Sequence, residues 1–428
     1  MELLKTGSRG PLVELLQTAL VRAGYEPGPV DGVFGGRTRA AVVAFQNASG
    51  LAPDGVVGPL TRRALLPWLL GYRLHRVRAG DSLWKIARQY GATLRAVELA
   101  NPGLDARNLE IGSDLVVPLD FPVVPTGVSF GSAALEYSVR GLAARYPFLR
   151  LAEYGNSVAG RPLYLLRLGA GPTQVLYNAA HHANEWITSP LLLRFVETLC
   201  AAYAAGDGVF GYGAEALLAA VTLTVAPMVN PDGVDLVVGA LAEGPFYESA
   251  RRFAAGYPDI PFPAGWKANL QGVDLNLQYP AGWEQAREIK FAEGYVLPGP
   301  RDYVGPAALS APESRALWRL ASALGPALTI SWHTQGGVIY WKYLDEAPAG
   351  AEAIGRRFAA ASGYVLADVP YESGYAGFKD WFIEEFGRPG FTVEAGRGEN
   401  PLPAGMFGEI WRENLGIMTL GIALAGDN

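Results

Sequence analysis

Residues 132–428 alternate between short β-rich runs and runs with helical apolar spacing. The β-rich runs are 163–169, 174–180, 220–229, 327–333, 338–343 and 390–396, and the helical runs are 134–145, 188–205, 312–324, 350–361 and 407–425. Such alternation predicts an α/β domain, with a sheet covered by helices on both faces. Ligands of open α/β sheets bind beyond the carboxyl ends of the strands. Polar residues that directly follow a β-rich run are therefore the first candidates for a site.

The chain has 428 residues, more than one typical domain, so two or three domains are expected. Residues 1–70 predict a small all-α domain of three helices, in "PLVELLQTALVRAGY", "TRAAVVAFQNASG" and "LAPDGVVGPLTRRALL". Asp-Gly turns recur at Asp31-Gly32 and Asp54-Gly55. These helices and turns resemble the peptidoglycan-binding three-helix domain of bacterial wall hydrolases.

Residues 71–118 have a strand–helix–helix–strand pattern. "HRVRAGDSLWKIARQYG" supplies a strand, a turn and a helix, and "TLRAVELANPG" and "LEIGSDLVVP" supply the second helix and the returning strand. The segment resembles a LysM module, which implies a shallow groove for N-acetylglucosamine-containing chains near 80–84 and 101–108. The stretch 119–131, rich in proline and small residues, is predicted to be a linker into the domain 132–428.

Bulk properties exclude several classes of protein. The net charge of −6 argues against a general nucleic-acid partner. Residues 1–10 lack the basic start and apolar run of a secretory signal, and no apolar stretch reaches membrane-spanning length. The expectation is a chain without a membrane span and without a visible export address.

Three segments suggest a metal site. "QVLYNAA" is followed by His181 and His182, with Glu185 three residues after the second histidine. "LTISWH" ends at His333, and "GFTVE" ends at Glu394. Two imidazoles and one carboxylate can hold zinc and leave a position open, as catalytic zinc sites do. The additional carboxylate can then act as a general base.

The same segments resemble the zinc carboxypeptidase family. "HANEWIT", "SWHTQ", "VNPDGVDL", "GVDLNLQYP" and "FTVEAG" match its motifs. The resemblance implies a mixed sheet with helices on both faces and one zinc ion per chain, held by His182, Glu185 and His333. It implies that Glu394 is the base, and that His181 is a neighbour of the ligands.

This chain departs from the family at the substrate positions. Where carboxypeptidases have an Asn-Arg pair that clamps the free C-terminal carboxylate, Asn276 is kept and Leu277 replaces the arginine. A leucine cannot pair with a carboxylate, so a strict demand for a free C-terminus is not expected. Lys267 occupies the position of the oxyanion-stabilising arginine, and either Tyr371 or Tyr375 matches the mobile tyrosine.

"WKAN", "GPRDYVG", "GFKDWF" and "GFTVEAGRGENPLP" resemble the γ-D-glutamyl-L-diamino acid endopeptidases of that family. The resemblance implies hydrolysis of the bond between γ-D-glutamate and the diamino acid, such as meso-diaminopimelate, of peptidoglycan stems. Arg301, Lys379 and Arg397 are candidates to pair with the carboxylates of such a substrate.

Two alternatives remain at this point. One is a metallocarboxypeptidase acting on ordinary peptides, and the other is a non-catalytic wall-binding protein. The sequence leaves open whether lysine or meso-diaminopimelate is preferred, and whether intact wall or released fragments are cleaved. The resemblance implies work at the cell wall, whereas the missing signal leaves a cytoplasmic or sporangial location open.

Overall fold

The computed structural model describes residues 3–426, and the chain divides into two compact units, Met1–Arg150 and Leu151–Asn428. Residues 1–2 and 427–428, which belong to the predicted first and last domains, lie outside the described residues. The domain limits predicted at residues 70, 118 and 131 stay predictions, because this division separates two units only.

The first unit contains the predicted three helices followed by the βααβ pattern. Its elements are α1 (Pro11–Arg22), α2 (Gly36–Ala48), α3 (Pro59–Leu70), β1 (Tyr72–Arg76), α4 (Leu83–Tyr90), α5 (Leu94–Ala100), β2 (Asp114–Pro118) and α6 (Ser132–Arg145). Strands β1 and β2 pair antiparallel, with Tyr72 opposite Pro118. Ser82 caps α4 by accepting a hydrogen bond from the backbone N–H of Lys85.

The two Asp-Gly turns of the three-helix region are held by the same device. Gln17 lies in α1, and its buried side-chain amide donates to Asp31 at 2.9 Å and accepts from the backbone N–H of Gly32 at 3.0 Å. Gln46 lies in α2, and its amide donates to Asp54 at 2.9 Å and accepts from the N–H of Gly55 at 2.9 Å. A buried amide with its partners satisfied locks each turn against a helix.

The predicted linker packs onto the first unit. Val123, Val124, Val128 and Phe130 are all buried. The guanidinium of Arg145 donates to the carbonyl oxygens of Phe121, at 3.0 Å, and Gly71, at 3.2 Å. Buried side chains and hydrogen-bonded carbonyls hold the segment in one place, so it is not a free spacer.

The second unit is an eight-stranded mixed sheet with helices on both faces, as predicted. Its elements are β3 (Arg150–Asn156), β4 (Pro162–Leu168), β5 (Thr173–Ala179), α7 (Thr188–Ala205), β6 (Gly208–Val209), β7 (Tyr212–Gly213), α8 (Ala214–Ala220), β8 (Val221–Ala226), α9 (Pro231–Val237), α10 (Pro245–Ala254), α11 (Trp283–Ala292), α12 (Pro312–Leu324), β9 (Leu328–His333), β10 (Val338–Tyr340), α13 (Ala351–Ser362), β11 (Val365–Ala367), α14 (Phe378–Phe386), β12 (Gly390–Glu394) and α15 (Phe407–Gly426). The strand order is β11-β10-β12-β9-β5-β8-β4-β3, and β6 and β7 form a separate two-stranded sheet.

The centre of the large sheet is parallel, and this places the functional residues. Strand β9 pairs parallel with β12 on one side and with β5 on the other, and β5 pairs parallel with β8. Nearly all residues of these four strands are buried, as expected for a sheet covered on both faces. The carboxyl ends of β5, β9 and β12 therefore meet at one edge of the sheet.

Large aromatic side chains fill the layers on the two faces. On one face, the ring of Tyr177 contacts Trp332, with 5.0 Å between centroids, and its hydroxyl donates to the carbonyl of Met418 in α15. On the other face, Leu176 belongs to a buried cluster with Phe378 and Trp381 of α14. Within residues 3–426, no helix is both long enough and apolar enough to cross a membrane.

Candidate metal centre

Three side chains from two segments that are far apart in sequence meet at this edge of the sheet. His182 follows β5, Glu185 ends a short 3-10 turn, and His333 is the last residue of β9. The Nδ1 atoms of both histidines lie 2.9 Å from Glu185, one from each carboxylate oxygen. The two Nδ1 atoms are 3.2 Å apart. Among the described residues, this is the one group of three or more potential ligands whose donor atoms lie within 4.8 Å of one another.

The donor set fits a bound zinc ion. Two imidazole nitrogens at 3.2 Å cannot both carry hydrogen without repelling each other. With both nitrogens deprotonated, two lone pairs and a carboxylate point at one place, which is the nitrogen and oxygen set that catalytic zinc uses. The role of His182, Glu185 and His333 as ligands stays a prediction, and their convergence is an observation.

Asp274 orients one of these imidazoles, and the sequence reasoning assigned it no role. Its Oδ1 lies 3.1 Å from His182 Nε2, and its Oδ2 accepts a hydrogen bond from the backbone N–H of Asp302 at 3.1 Å. Although burial opposes ionisation, the nearby His182 lowers the pKa of Asp274. A carboxylate that accepts a hydrogen bond from the Nε2–H group keeps the proton on Nε2, and Nδ1 is then free to bind a metal. The sequence does point to Asp274, because this residue lies in "GVDLNLQYP", one of the segments that match the motifs of the zinc carboxypeptidases.

Glu394 lies beside the trio. It ends β12, directly opposite His333 in the parallel pairing of β12 and β9, and it lines the pocket above the trio. Burial raises the pKa of Glu394, and the carboxylate of Glu185 raises it further. A carboxylate with a raised pKa is a better proton acceptor near neutral pH, as a general base requires.

Lys267 brings a positive charge to the same place. Its Nζ lies 3.2 Å from Glu185 Oε1, and its side chain is only 18% exposed. Its backbone carbonyl accepts a hydrogen bond from Ala183 at 3.0 Å, which ties its segment to the turn that carries Glu185. Although burial opposes the charged form, the Glu185 carboxylate raises the pKa of Lys267. Lys267 is therefore cationic at neutral pH.

Some of the predicted substrate-binding residues line this pocket, which has a volume of about 170 Å³. Asn276, Arg301 and Lys379 are among its lining residues, as are Lys290 and Asp302. Arg301 Nε contacts Asp302 at 2.5 Å. Lys379 is nearly buried, and its Nζ donates to the carbonyl of Lys342 at 2.6 Å and to Asp380.

The remaining predicted substrate residues are not among the lining side chains. Tyr371 and Tyr375 contact each other edge to face, with 5.6 Å between centroids, and Tyr371 is 60% exposed. Arg397 pairs with Glu413 at 3.0 Å, and its guanidinium lies over the ring of Tyr364. Their contact with substrate stays a prediction.

Comparison with protein families assigns each part of the chain. Residues 135–416 match the profile of the zinc carboxypeptidases, which is about two thirds of the chain. This chain belongs to the zinc carboxypeptidase family. Residues 9–65 match a peptidoglycan binding domain, and residues 75–118 match the LysM domain. The chain is thus a zinc metallopeptidase that carries a peptidoglycan binding domain and a LysM domain ahead of its peptidase domain.

Two curated relatives are similar to this zinc carboxypeptidase over most of their own length. One is the gamma-D-glutamyl-L-diamino acid endopeptidase 1 of Lysinibacillus sphaericus, 40% identical over 288 residues, which are 67% of this chain and 70% of that protein. The other is the uncharacterized protein YqgT of Bacillus subtilis, 36% identical over 292 residues, 68% of this chain and 76% of that protein.

Solved structures share the fold of this zinc carboxypeptidase. Carboxypeptidase A of Helicoverpa armigera superposes with a TM-score of 0.54 at 16% identity, covering 92% of this chain and 95% of that one. Bovine thrombin-activatable fibrinolysis inhibitor, solved with a tick carboxypeptidase inhibitor, superposes with a TM-score of 0.53 at 17% identity, covering 71% and 99% of the two chains. At this identity the likeness concerns the fold alone.

Proposed function

We propose that this protein is a peptidoglycan hydrolase that cleaves the bond between γ-D-glutamate and the diamino acid of stem peptides. The observation that carries the proposal is the pocket wall at Leu277. This side chain lines the pocket and packs in a buried apolar cluster with Trp283, Val304 and Ala376. A wall of this kind offers no partner to a free terminal carboxylate, so a substrate that continues beyond the diamino acid is favoured over one that ends there.

Two further findings support the proposal. The Lysinibacillus sphaericus relative bears the name of this activity and is 40% identical. The peptidoglycan-binding and LysM domains precede the peptidase domain in the same chain. In the LysM region, Trp84 is 59% exposed beside the proposed groove, where its face can pack against a sugar ring. We infer that the glycan strands bind these modules while a stem peptide enters the pocket.

In the proposed mechanism, His182, Glu185 and His333 hold one zinc ion per chain. When bound, zinc acts as a Lewis acid that polarises the scissile carbonyl and makes water more acidic. Glu394 accepts a proton from the water as the water oxygen attacks the γ-carbonyl carbon of D-glutamate. The ammonium of Lys267 stabilises the negative charge that develops on the carbonyl oxygen. Glu394 then donates the proton to the leaving amine of the diamino acid as the C–N bond breaks.

Arg301 is the best placed of the predicted cations to bind a substrate carboxylate. Its Nε contacts Asp302, and no other hydrogen bond of its guanidinium is found within residues 3–426, although the residue lines the pocket. Lys379 and Arg397 differ, because Lys379 is held by Asp380 and Lys342, and Arg397 is paired with Glu413. We therefore expect Arg301 to contribute most to substrate binding.

The proposed activity is tested with defined stem peptides. The protein is incubated with L-Ala-γ-D-Glu-meso-diaminopimelate, free and extended by D-Ala, and the products are identified by mass spectrometry. We expect cleavage between D-glutamate and the diamino acid, faster for the extended peptide, and abolished by a zinc chelator. Release of D-Ala from the extended peptide instead, with the bond between D-glutamate and the diamino acid intact, would contradict the proposal and favour an ordinary carboxypeptidase.

Substitution of Leu277 tests the pocket wall directly. In Leu277→Arg a guanidinium can pair with a terminal carboxylate, so the ratio of kcat/KM for the free-acid peptide over the extended peptide should rise about tenfold, or ~1.4 kcal/mol. Leu277→Met, of similar volume and uncharged, is the matched control and should leave the ratio unchanged. An unchanged ratio in a folded Leu277→Arg protein would contradict the role assigned to this position.

A further inference from the structure

The two imidazoles of the trio are held in different ways. His182 Nε2 lies 3.1 Å from the carboxylate of Asp274, which fixes the rotation of its ring. His333 Nε2 is buried, and it has no hydrogen-bond partner within residues 3–426. Metal-binding histidines usually donate their second ring N–H to an oxygen acceptor, and this hydrogen bond sets the orientation of the ring. His333 must therefore be oriented by some other contact.

His181 provides that contact. Its ring stacks on the ring of His333, with 5.6 Å between the centroids and 18° between the planes. His182, in contrast, meets His333 edge to face, at 63°. His181 is fully buried, and its ring packs against the ring of His333.

The His181 ring is itself held in place. Its Nε2 lies 3.0 Å from the hydroxyl of Tyr279. The Tyr279 ring is fully buried between Phe378, at 5.1 Å between centroids, and Trp381, stacked at 6.1 Å. A chain of contacts thus runs from Phe378 and Trp381 of α14 through Tyr279 and His181 to His333.

We propose that His181 is a positioning residue that orients His333 for metal binding, in place of the hydrogen bond that His333 lacks. A histidine suits this position because it combines a flat ring, which stacks, with a ring nitrogen that the Tyr279 hydroxyl holds. Phenylalanine would keep the stacking without the hydrogen bond, and an aliphatic side chain would keep neither. The proposal explains why the chain has two adjacent histidines of which one belongs to the trio.

This inference rests on the proposed function, because it takes His333 to be a zinc ligand. The test measures the zinc dissociation constant of His181→Leu, His181→Phe and Tyr279→Phe by competition with a chromophoric chelator. We expect zinc affinity to fall about 10–100-fold in His181→Leu, as for other residues that support metal ligands, and by a smaller factor, about two- to tenfold, in His181→Phe and Tyr279→Phe. The visible spectrum of the cobalt-substituted protein should change in His181→Leu, since the geometry around the metal changes.

The chain offers a matched control in the first unit. His75 is a buried histidine whose Nδ1 lies 3.1 Å from the hydroxyl of Tyr90, so His75→Leu removes a similar His–Tyr pair outside the trio. It should leave zinc affinity unchanged. Thermal unfolding of the metal-free proteins shows whether each variant still folds, independently of metal binding.

Wild-type zinc affinity in a folded His181→Leu protein would overturn the proposal. If His181→Leu does not fold, wild-type zinc affinity in Tyr279→Phe would overturn it. Failure of the ligand set itself is distinguishable, because His333→Asn would then also bind zinc normally.

Discussion

Glu394→Gln is expected to lower kcat for stem-peptide hydrolysis by about 10²–10⁴-fold. Glu394 lies opposite His333 at the end of β12 and lines the pocket. The amide of glutamine has nearly the same shape as the carboxylate, but it cannot accept a proton from water or deliver one to the leaving amine. The measurement is the turnover of the extended stem peptide at saturating concentration, with products counted by mass spectrometry.

Two controls make this result specific. Zinc content and zinc dissociation constant should stay as in the wild type, because Glu394 is not in the trio of potential ligands. Glu399→Gln, an exposed carboxylate in the segment that follows β12, should keep full activity. Wild-type turnover in Glu394→Gln would show that another group is the base and would contradict the proposed mechanism.

His333→Asn is expected to give the second large effect, a loss of zinc affinity of about 10²–10³-fold with a parallel loss of activity at limiting zinc. Zinc binding to a four-ligand site amounts to roughly 10–16 kcal/mol, so one ligand contributes about 2.5–4 kcal/mol. His333 Nδ1 lies 2.9 Å from Glu185 and 3.2 Å from His182 Nδ1, so its removal opens the trio.

The readout is the zinc dissociation constant, followed by activity as a function of added zinc. Activity of His333→Asn should recover in part at high zinc concentration, because the remaining ligands are intact. His75→Leu is again the matched control, because His75 is a buried histidine of the first unit. Unchanged zinc affinity in His333→Asn would exclude His333 as a ligand and with it the proposed site.

The peptidoglycan binding domain, the LysM domain and the sheet were predictable because their signals are local. The Asp-Gly turns, the cap of α4 and the alternation of helices and strands depend on neighbouring residues, which is what sequence patterns report. Elements without such a pattern were missed. Strands β3 and β11 are the two edge strands of the sheet, and the helices α9, α10, α11 and α14 were not predicted either.

By itself, the sequence determined which residues could bind a metal, because imidazoles and carboxylates at the ends of parallel strands must lie at one edge of the sheet. Only the tertiary structure decided how those side chains are oriented. The loop at Asp302 brings a backbone N–H to Asp274, and the packing under α14 sets the position of Tyr279 and thereby of His181. Tertiary packing also placed Arg397 against Glu413 and kept Arg301 at the pocket. The physical reason is that strand ends are set by local pattern, whereas side-chain directions are set by contacts between residues that are 16 to 98 positions apart in the chain.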